Sequence, residues 1–427
     1  MSHTPRLAAR LLLTLLPFTA LAQGDAPAQA SAQADNKGVH FEDNLSWTAI
    51  KARAKAENKY IFMDCYTTWC GPCKYMAKTI FPQEETGAFF NDKFICVGVQ
   101  LDTTAKDDDR VKSWYADGHN IAEDFDVRAY PTYLIFSPDG KPLHRLVGSS
   151  PTAKEFITHM QSTFDTTKQY YTQLQQYRGG RRDTAFLRRV AKMCAGVYDL
   201  KTGREVADAY LATQTDPYSH GALEMTLQYT QSTKDKGFAV LAGHPDKVDA
   251  VMGNGVAEQA MFTTFYRSAI YPAIRKAGSG SPDWKAVRKA IAADYPAVAE
   301  EMTEKGELVY YQQKKDWPHF QTSVMKYMKT YGAHASAGDL NDFAWTVFEN
   351  CPDMTCVSEA LDWSKRSFDG KPNAMFMDTY ANILYKMGKK DEAIAWEQKA
   401  IDLADDASKA SLQPNLDKMK KGEKTWN

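Results

Sequence analysis

The sequence predicts an α/β domain with a central mixed sheet, followed by an all-α region. Apolar runs of strand length at 60–66, 94–101, 129–136 and 142–147 alternate with helical and turn segments. Where the first run ends, residues 69–74 read Trp-Cys-Gly-Pro-Cys-Lys. From about residue 166 the strand patterns fade and helical periodicity takes over. With 427 residues the chain has room for two or three domains.

Arg6 and Arg10 give the first residues a positive character, and Leu11 to Ala20 is apolar. Ala20-Leu21-Ala22 then offers a small-x-small cleavage site before Gln23. This is the pattern of a secretory leader over 1–22, too short to be a membrane-spanning helix. No Cys follows the cleavage site, so a bacterial lipoprotein anchor is not indicated. Residues 23–39 are Ala/Gln-rich and polar, a flexible lead-in. No later stretch is long and apolar enough to span a bilayer, so stable membrane insertion is not expected. The expected location is the periplasm, or the outside of a cell that lacks an outer membrane.

The run from Tyr60 to Tyr66 reads as a buried strand that feeds into the cysteine turn. Cys73 to Phe81 reads as a helix that stops at Pro82. Phe94 to Leu101 is the second strand, and Ala129 to Phe136 the third. Ser137-Pro138-Asp139-Gly140 has turn residues, and Pro142 to Val147 is the fourth strand. Ser150-Pro151 then predicts a helix with Ser as its cap and Pro in its first turn.

The hexapeptide carries the chemistry. Cys70 and Cys73 fall in the first turn of a helix, with Cys70 at an exposed N-terminus and Cys73 one turn below. The unpaired N–H groups and the positive dipole end favour a thiolate at Cys70. Lowering a thiol from about 8.5 to about 7 amounts to about 2 kcal/mol of thiolate stabilisation. A bare Cys-X-X-Cys also occurs in zinc sites and at haem attachment. Zinc wants about four N/S ligands, and no second Cys-X-X-Cys or His cluster is present. Haem attachment needs His after the second Cys, and this chain has Lys74. The expectation is no metal and no cofactor beyond a redox-active Cys70–Cys73 disulfide.

With these elements and residues, 40–165 resembles the thioredoxin family. Trp-Cys-Gly-Pro-Cys-Lys matches its active-site motif, Asp64 its buried carboxylate, Pro131 its cis-proline and Gly148 a glycine after the last strand. The run Met63 to Cys70, with Phe81 closing the helix, is most similar to a subgroup that includes the periplasmic C-terminal domain of DsbD-type transmembrane thiol reductases. The resemblance implies that Cys70 attacks a substrate disulfide and Cys73 resolves the mixed disulfide. A buried Asp64, its pKa raised, would take the proton from Cys73. A cis Pro131 would lie against the sulfurs, and Tyr130 and Thr132 would offer backbone groups to a substrate strand. Trp69 would stand beside the site. Gly71-Pro72 is the dipeptide of reducing members. Two departures stand out. Gly98 or a neighbour occupies the place where the family often has a buried Lys. Thr103 to Asn120 is an insertion, read as a solvated helix and loop around Asp107-Asp108-Asp109 and Trp114-Tyr115.

The chain has 7 cysteines. Cys65, Cys96 and Cys194 read as buried small hydrophobes. Cys351 and Cys356, around a Pro-Asp turn, are either a local disulfide staple or two reduced loop thiols. In the region 166–427, Tyr170, Tyr171, Leu174 and Tyr177 share one helix face. Helical stretches continue through 206–211, 257–277, 284–302 and 317–331. Between about 339 and 405 two helices around Gly388-Lys389-Lys390, with small residues at their crossing, resemble a tetratricopeptide hairpin. His220, His244, His319 and His334 have no partners at metal spacing.

A net charge of −1 argues against a general nucleic-acid binder. The expected function is an exported thiol–disulfide oxidoreductase that reduces protein disulfides. Its partners would be disulfide-containing exported proteins and a transmembrane thiol electron donor. An isomerase or oxidase using the same site, and a helical scaffold with a regulatory thioredoxin module, are the alternatives.

Overall fold

The computed structural model describes residues 37–333 and 335–426. The leader over 1–22, most of the lead-in over 23–39, and His334 lie outside the described residues. Two compact units divide the chain, the first ending at Gln175 and the second starting at Gln176.

In the first unit the order is α1 (Trp47–Glu57), β1 (Tyr60–Tyr66), α2 (Gly71–Tyr75), a π-helical turn (Met76–Ile80), α3 (Glu84–Lys93), β2 (Phe94–Gln100), α4 (Asp109–Ser113), α5 (Tyr115–Asp124), β3 (Thr132–Phe136), β4 (Pro142–Val147) and α6 (Ala153–Met160). The sheet order is β2-β1-β3-β4. β1 runs parallel to β2 and antiparallel to β3, and β3 pairs antiparallel with β4.

Both faces of this sheet are covered, which is why β1 is apolar apart from Asp64 rather than alternating. Phe62 and Tyr133 pack with Met76, Ile80, Phe81, Phe90, Phe156 and Met160 on one face. Ile61, Met63, Cys65 and Leu134 pack with Ile50, Ala54, Trp114 and Ile121 on the other. α1 and α3 are additions to the predicted elements. α1 is mostly polar, buries only Ile50 and Ala54, and is capped by Ser46, whose Oγ accepts from Ala49 N–H at 3.3 Å.

Three expectations are corrected. The helix after the cysteines is not regular, because a π-turn over Met76–Ile80 follows its first turn. β3 starts at Thr132 rather than Ala129; the Thr132 hydroxyl donates back to the Ala129 carbonyl at 2.7 Å and closes a turn there. α6 is capped by Thr152, not Ser150, with Thr152 Oγ1 accepting from Glu155 N–H at 3.2 Å. Ser150 is instead buried, with its N–H on Met76 Sδ at 3.5 Å. Buried His144 on β4 ties the last part of this unit down: Nε2 lies 2.8 Å from Ser162 Oγ and Nδ1 accepts from Tyr170 N–H at 3.0 Å.

The described residues of the second unit form paired α-helices. Gly203 lets helix Leu200–Leu211 approach Tyr229: a Cβ there would meet Tyr229 Oη at 2.4 Å. The predicted helix over 284–302 is broken into Trp284–Ala292 and Ala299–Lys314. In the interior, Lys305 Nζ donates to Glu258 Oε2 at 2.8 Å and Asp339 Oδ2 at 2.9 Å. Helices Ala374–Lys386 and Lys390–Leu403 form a hairpin around Gly388, whose φ of 81° is a left-handed value that suits glycine.

Candidate active site

Local sequence builds the site at the end of β1. Thr67 accepts from Cys70 N–H at 3.2 Å, closing the turn that reverses the chain into α2. Cys70 is the N-cap of α2, with extended backbone, and Pro72 fits the first turn because its missing N–H would have had no partner there. The Cys73 N–H donates to Cys70 Sγ at 3.0 Å, so a helix-terminal donor is aimed at the sulfur that becomes the thiolate. Cys70 and Cys73 are joined by a disulfide, with S–S 2.06 Å. A Cβ on Gly71 would meet nothing within 4 Å, so the space beside Gly71 is open.

Cys70 is less accessible than its position predicts, at 3% exposure, with Cys73 at 6%. The neighbouring Trp69 takes the exposed place, at 68%, and its ring meets Tyr130 edge-on at 5.6 Å. The Tyr130–Pro131 peptide bond is cis. Thr132 lies inside the sheet, opposite Cys65 on one side and Val147 on the other. The Pro131 carbonyl accepts from Gly148 N–H at 2.9 Å. Of the residues expected to meet a substrate strand, Tyr130 is the one outside the sheet.

Asp64 shares a strand face with Phe62, and that face is packed against the helix that Cys73 begins. It is 3% exposed, and its Oδ1 has no hydrogen-bond partner among the described residues. Burial pushes its carboxyl up to about 7. Its partner across the parallel pair is Gly98. At neutral pH Asp64 is therefore poised to accept a proton.

Sequence reasoning missed Asp102. Its carboxylate accepts from Thr68 N–H at 2.9 Å and from the Thr68 hydroxyl, two residues before Cys70. An Asp directly after the predicted strand Phe94 to Leu101 was the available signal. The insertion is also not just a solvated face. Burial pushes Asp107 up, but bonds from Thr104, Tyr115 and Gln100 outweigh it and hold the carboxyl well below the usual carboxylate range. Asp108 caps α4 through Val111 N–H at 2.8 Å, and Trp114 is buried in the core.

Outside the site, Cys65 and Cys96 are buried free thiols, both raised by burial. Cys194 is also buried. Cys351 and Cys356 stand as free, buried thiols rather than a formed staple. No group of three or more metal-ligating side chains occurs among the described residues.

A thioredoxin-like domain model matches residues 48–163. Thioredoxin from Coprinus comatus is 32% identical over 101 residues, covering 23% of this chain and 77% of that protein. The chain belongs to the thioredoxin family. Chloroplastic thioredoxin Y from Oryza sativa subsp. japonica is 32% identical over 110 residues, covering 26% of this chain. There the match spans 54% of the relative, about half its length. A solution structure of a proposed disulphide-isomerase from Bacteroides thetaiotaomicron is 31% identical, covering 31% of this chain and 98% of that one, with a TM-score of 0.25. The thioredoxin-like domain of this chain is thus a thiol–disulfide oxidoreductase domain with a close Cys70–Cys73 pair.

Proposed function

We propose that this protein is an exported oxidoreductase that reduces disulfides in other exported proteins through Cys70 and Cys73. One observation carries the reading: the Cys73 N–H donates to Cys70 Sγ at 3.0 Å at a helix start, on the sheet face that holds buried Asp64. In the dithiol form, the Cys70 thiolate attacks one substrate sulfur and the other leaves as a thiolate that takes a proton from water. Cys73 then gives its proton to Asp64 and attacks Cys70 Sγ. The mixed disulfide breaks, and the second substrate sulfur leaves with a proton. Two electrons have passed to the substrate, and Cys70–Cys73 is oxidised.

The leader pattern over 1–22 supports export, and the resemblance of the run Met63 to Cys70 to DsbD-type domains, with Gly71-Pro72 between the cysteines, supports the reducing direction. In an oxidising compartment the pair must be re-reduced by a dithiol fed from across the membrane. The helical unit, with its hairpin around Gly388, is the client-holding part of this reading. The test is reduction of insulin disulfides by the full mature chain with dithiothreitol as donor. Activity that Cys70→Ser abolishes is expected. Equal rates with and without Cys70 would instead favour the scaffold reading.

A further inference from the structure

We propose that Cys351 and Cys356 are a second thiol–disulfide couple, which closes into an intramolecular bond by exchange with a small-molecule disulfide and locks the corner between two helices. Helix Ala337–Asn350 ends at Cys351, whose N–H still donates to Val347 O at 2.9 Å. Pro352 cannot continue that helix. Asp353 then caps helix Met354–Ser367 through Thr355 N–H at 2.9 Å, which puts Cys356 in the first turn. The sharp corner brings both side chains into one buried core cluster, with Val347, Val357 and Ala360. Cys351 Sγ also faces the Asp353 carbonyl at 3.7 Å.

The corner is held from below. Lys386 Nζ donates to the Cys351 carbonyl at 3.1 Å and to the Phe348 carbonyl, so the Cys351 backbone is fixed on both sides. The cover above is thin. Cys351 and Cys356 are 5% and 1% exposed, yet Pro352, Asp353, Met354 and Thr355 between them are all exposed. Cys65 and Cys96 differ from this arrangement, since they lie in cores on opposite faces of the sheet.

The exchange balances as two steps. Cys351 Sγ attacks a disulfide R–S–S–R, forming a mixed disulfide and releasing one R–S⁻, which takes up the Cys351 proton. Cys356 loses its proton to solvent, attacks Cys351 Sγ and expels the second R–S⁻. Two thiols are oxidised and one external disulfide is reduced. Cys351 is the more exposed of the two, at 5% against 1%, which assigns the first attack to Cys351 and the resolving step to Cys356.

The test equilibrates the full mature chain with graded ratios of oxidised to reduced glutathione, blocks remaining thiols with an alkylating agent, and maps tryptic peptides by mass. Both cysteines fall in the peptide Thr330–Lys365. The expected product is that peptide two hydrogens lighter than its dithiol form and free of alkyl groups. In Cys356→Ser, a glutathione adduct should accumulate on Cys351. Two alkylated cysteines, or separate glutathione adducts on each, at ratios that fully oxidise Cys70–Cys73, would overturn the proposal. So would a Cys351 in Cys356→Ser that stays free of glutathione.

Discussion

Asp64 lies directly across the parallel β1–β2 pair from Gly98, so no side chain on β2 answers its charge at that point. No ion pair reaches Asp64 among the described residues, and burial alone raises its carboxyl to about 7. The site is therefore tuned by desolvation, with Asp64 changing protonation where the enzyme would work.

Disulfide reduction should fall as pH drops through about 7, because Asp64 takes the proton from Cys73 only when ionised. In Asp64→Asn that inflection should disappear and the rate at pH 8 should drop by about 10²-fold, the low end for general-base removal. Single-turnover release of a mixed-disulfide substrate over pH 5–9 checks this.

The same residue trades stability for activity. Its carboxyl rises from 3.8 to about 7 on folding, so the folded state holds a proton that the unfolded chain releases. Stability from this group is full below about 4 and is lost as pH rises to about 7, by roughly 4 kcal/mol. Asp64→Asn should thus be more stable than the parent at pH 8 in urea unfolding, while less active.

His144 acts in the opposite sense. Burial lowers it from 6.5 to about 4, so stability falls as pH drops through that window, by roughly 3 kcal/mol. In the parent the two slopes largely cancel between about pH 4.5 and 6.5. In Asp64→Asn the His144 slope should stand alone, and the thioredoxin-like unit should weaken steadily on acidification.

Thr68 and Asp102 hold the approach to Cys70. Thr68→Ala removes one hydrogen bond to a carboxylate and should cost about 1–2 kcal/mol. Because Trp69 and Cys70 follow directly, turnover should fall by roughly 3- to 10-fold through misplacement of the sulfur. Thr68→Ser should restore both. Rescue of turnover together with stability separates this role from loss of folding.

In the helical unit, Asp378 and Glu397 are a buried carboxyl pair, 5% and 0% exposed. Asp378 Oδ1 accepts from Asn382 and Asn415 side chains, each at 2.9 Å. Burial raises both groups; at Glu397 the neighbouring Asp378 adds to the rise, while at Asp378 the bonds with Asn415, Glu397 and Asn382 offset part of it. The folded pair keeps a proton that the unfolded chain gives up, so its contribution falls as pH rises above the ordinary carboxylate range. Glu397→Gln should raise the Tm of this unit more at pH 8 than at pH 5.

Much of the thioredoxin-like unit was legible because its strands are short apolar runs bounded by turn residues, and because Cys70, Cys73 and Asp64 sit at fixed places relative to them. The misses have physical causes. α1 stays hidden because a helix that buries only Ile50 and Ala54 has almost no apolar periodicity. The π-turn after Tyr75 has no sequence mark comparable to proline. Asp102 and Asp107 look like surface charge, and only the fold shows that each is spent on hydrogen bonds. In the helical unit, periodicity located helices but gave no hint of the Lys305–Glu258–Asp339 network, since buried charges mimic exposed ones in a sequence.

The central claim is that Cys70 and Cys73 form a reducing couple. The most direct measurement is their reduction potential in the full mature chain with Cys65, Cys96, Cys194, Cys351 and Cys356 substituted, by equilibration in a thiol buffer and alkylation of free thiols. A value near about −270 mV, that of thioredoxin, is predicted. A value between about −180 and −120 mV, where isomerases and oxidases lie, would contradict it and reverse the direction of electron flow.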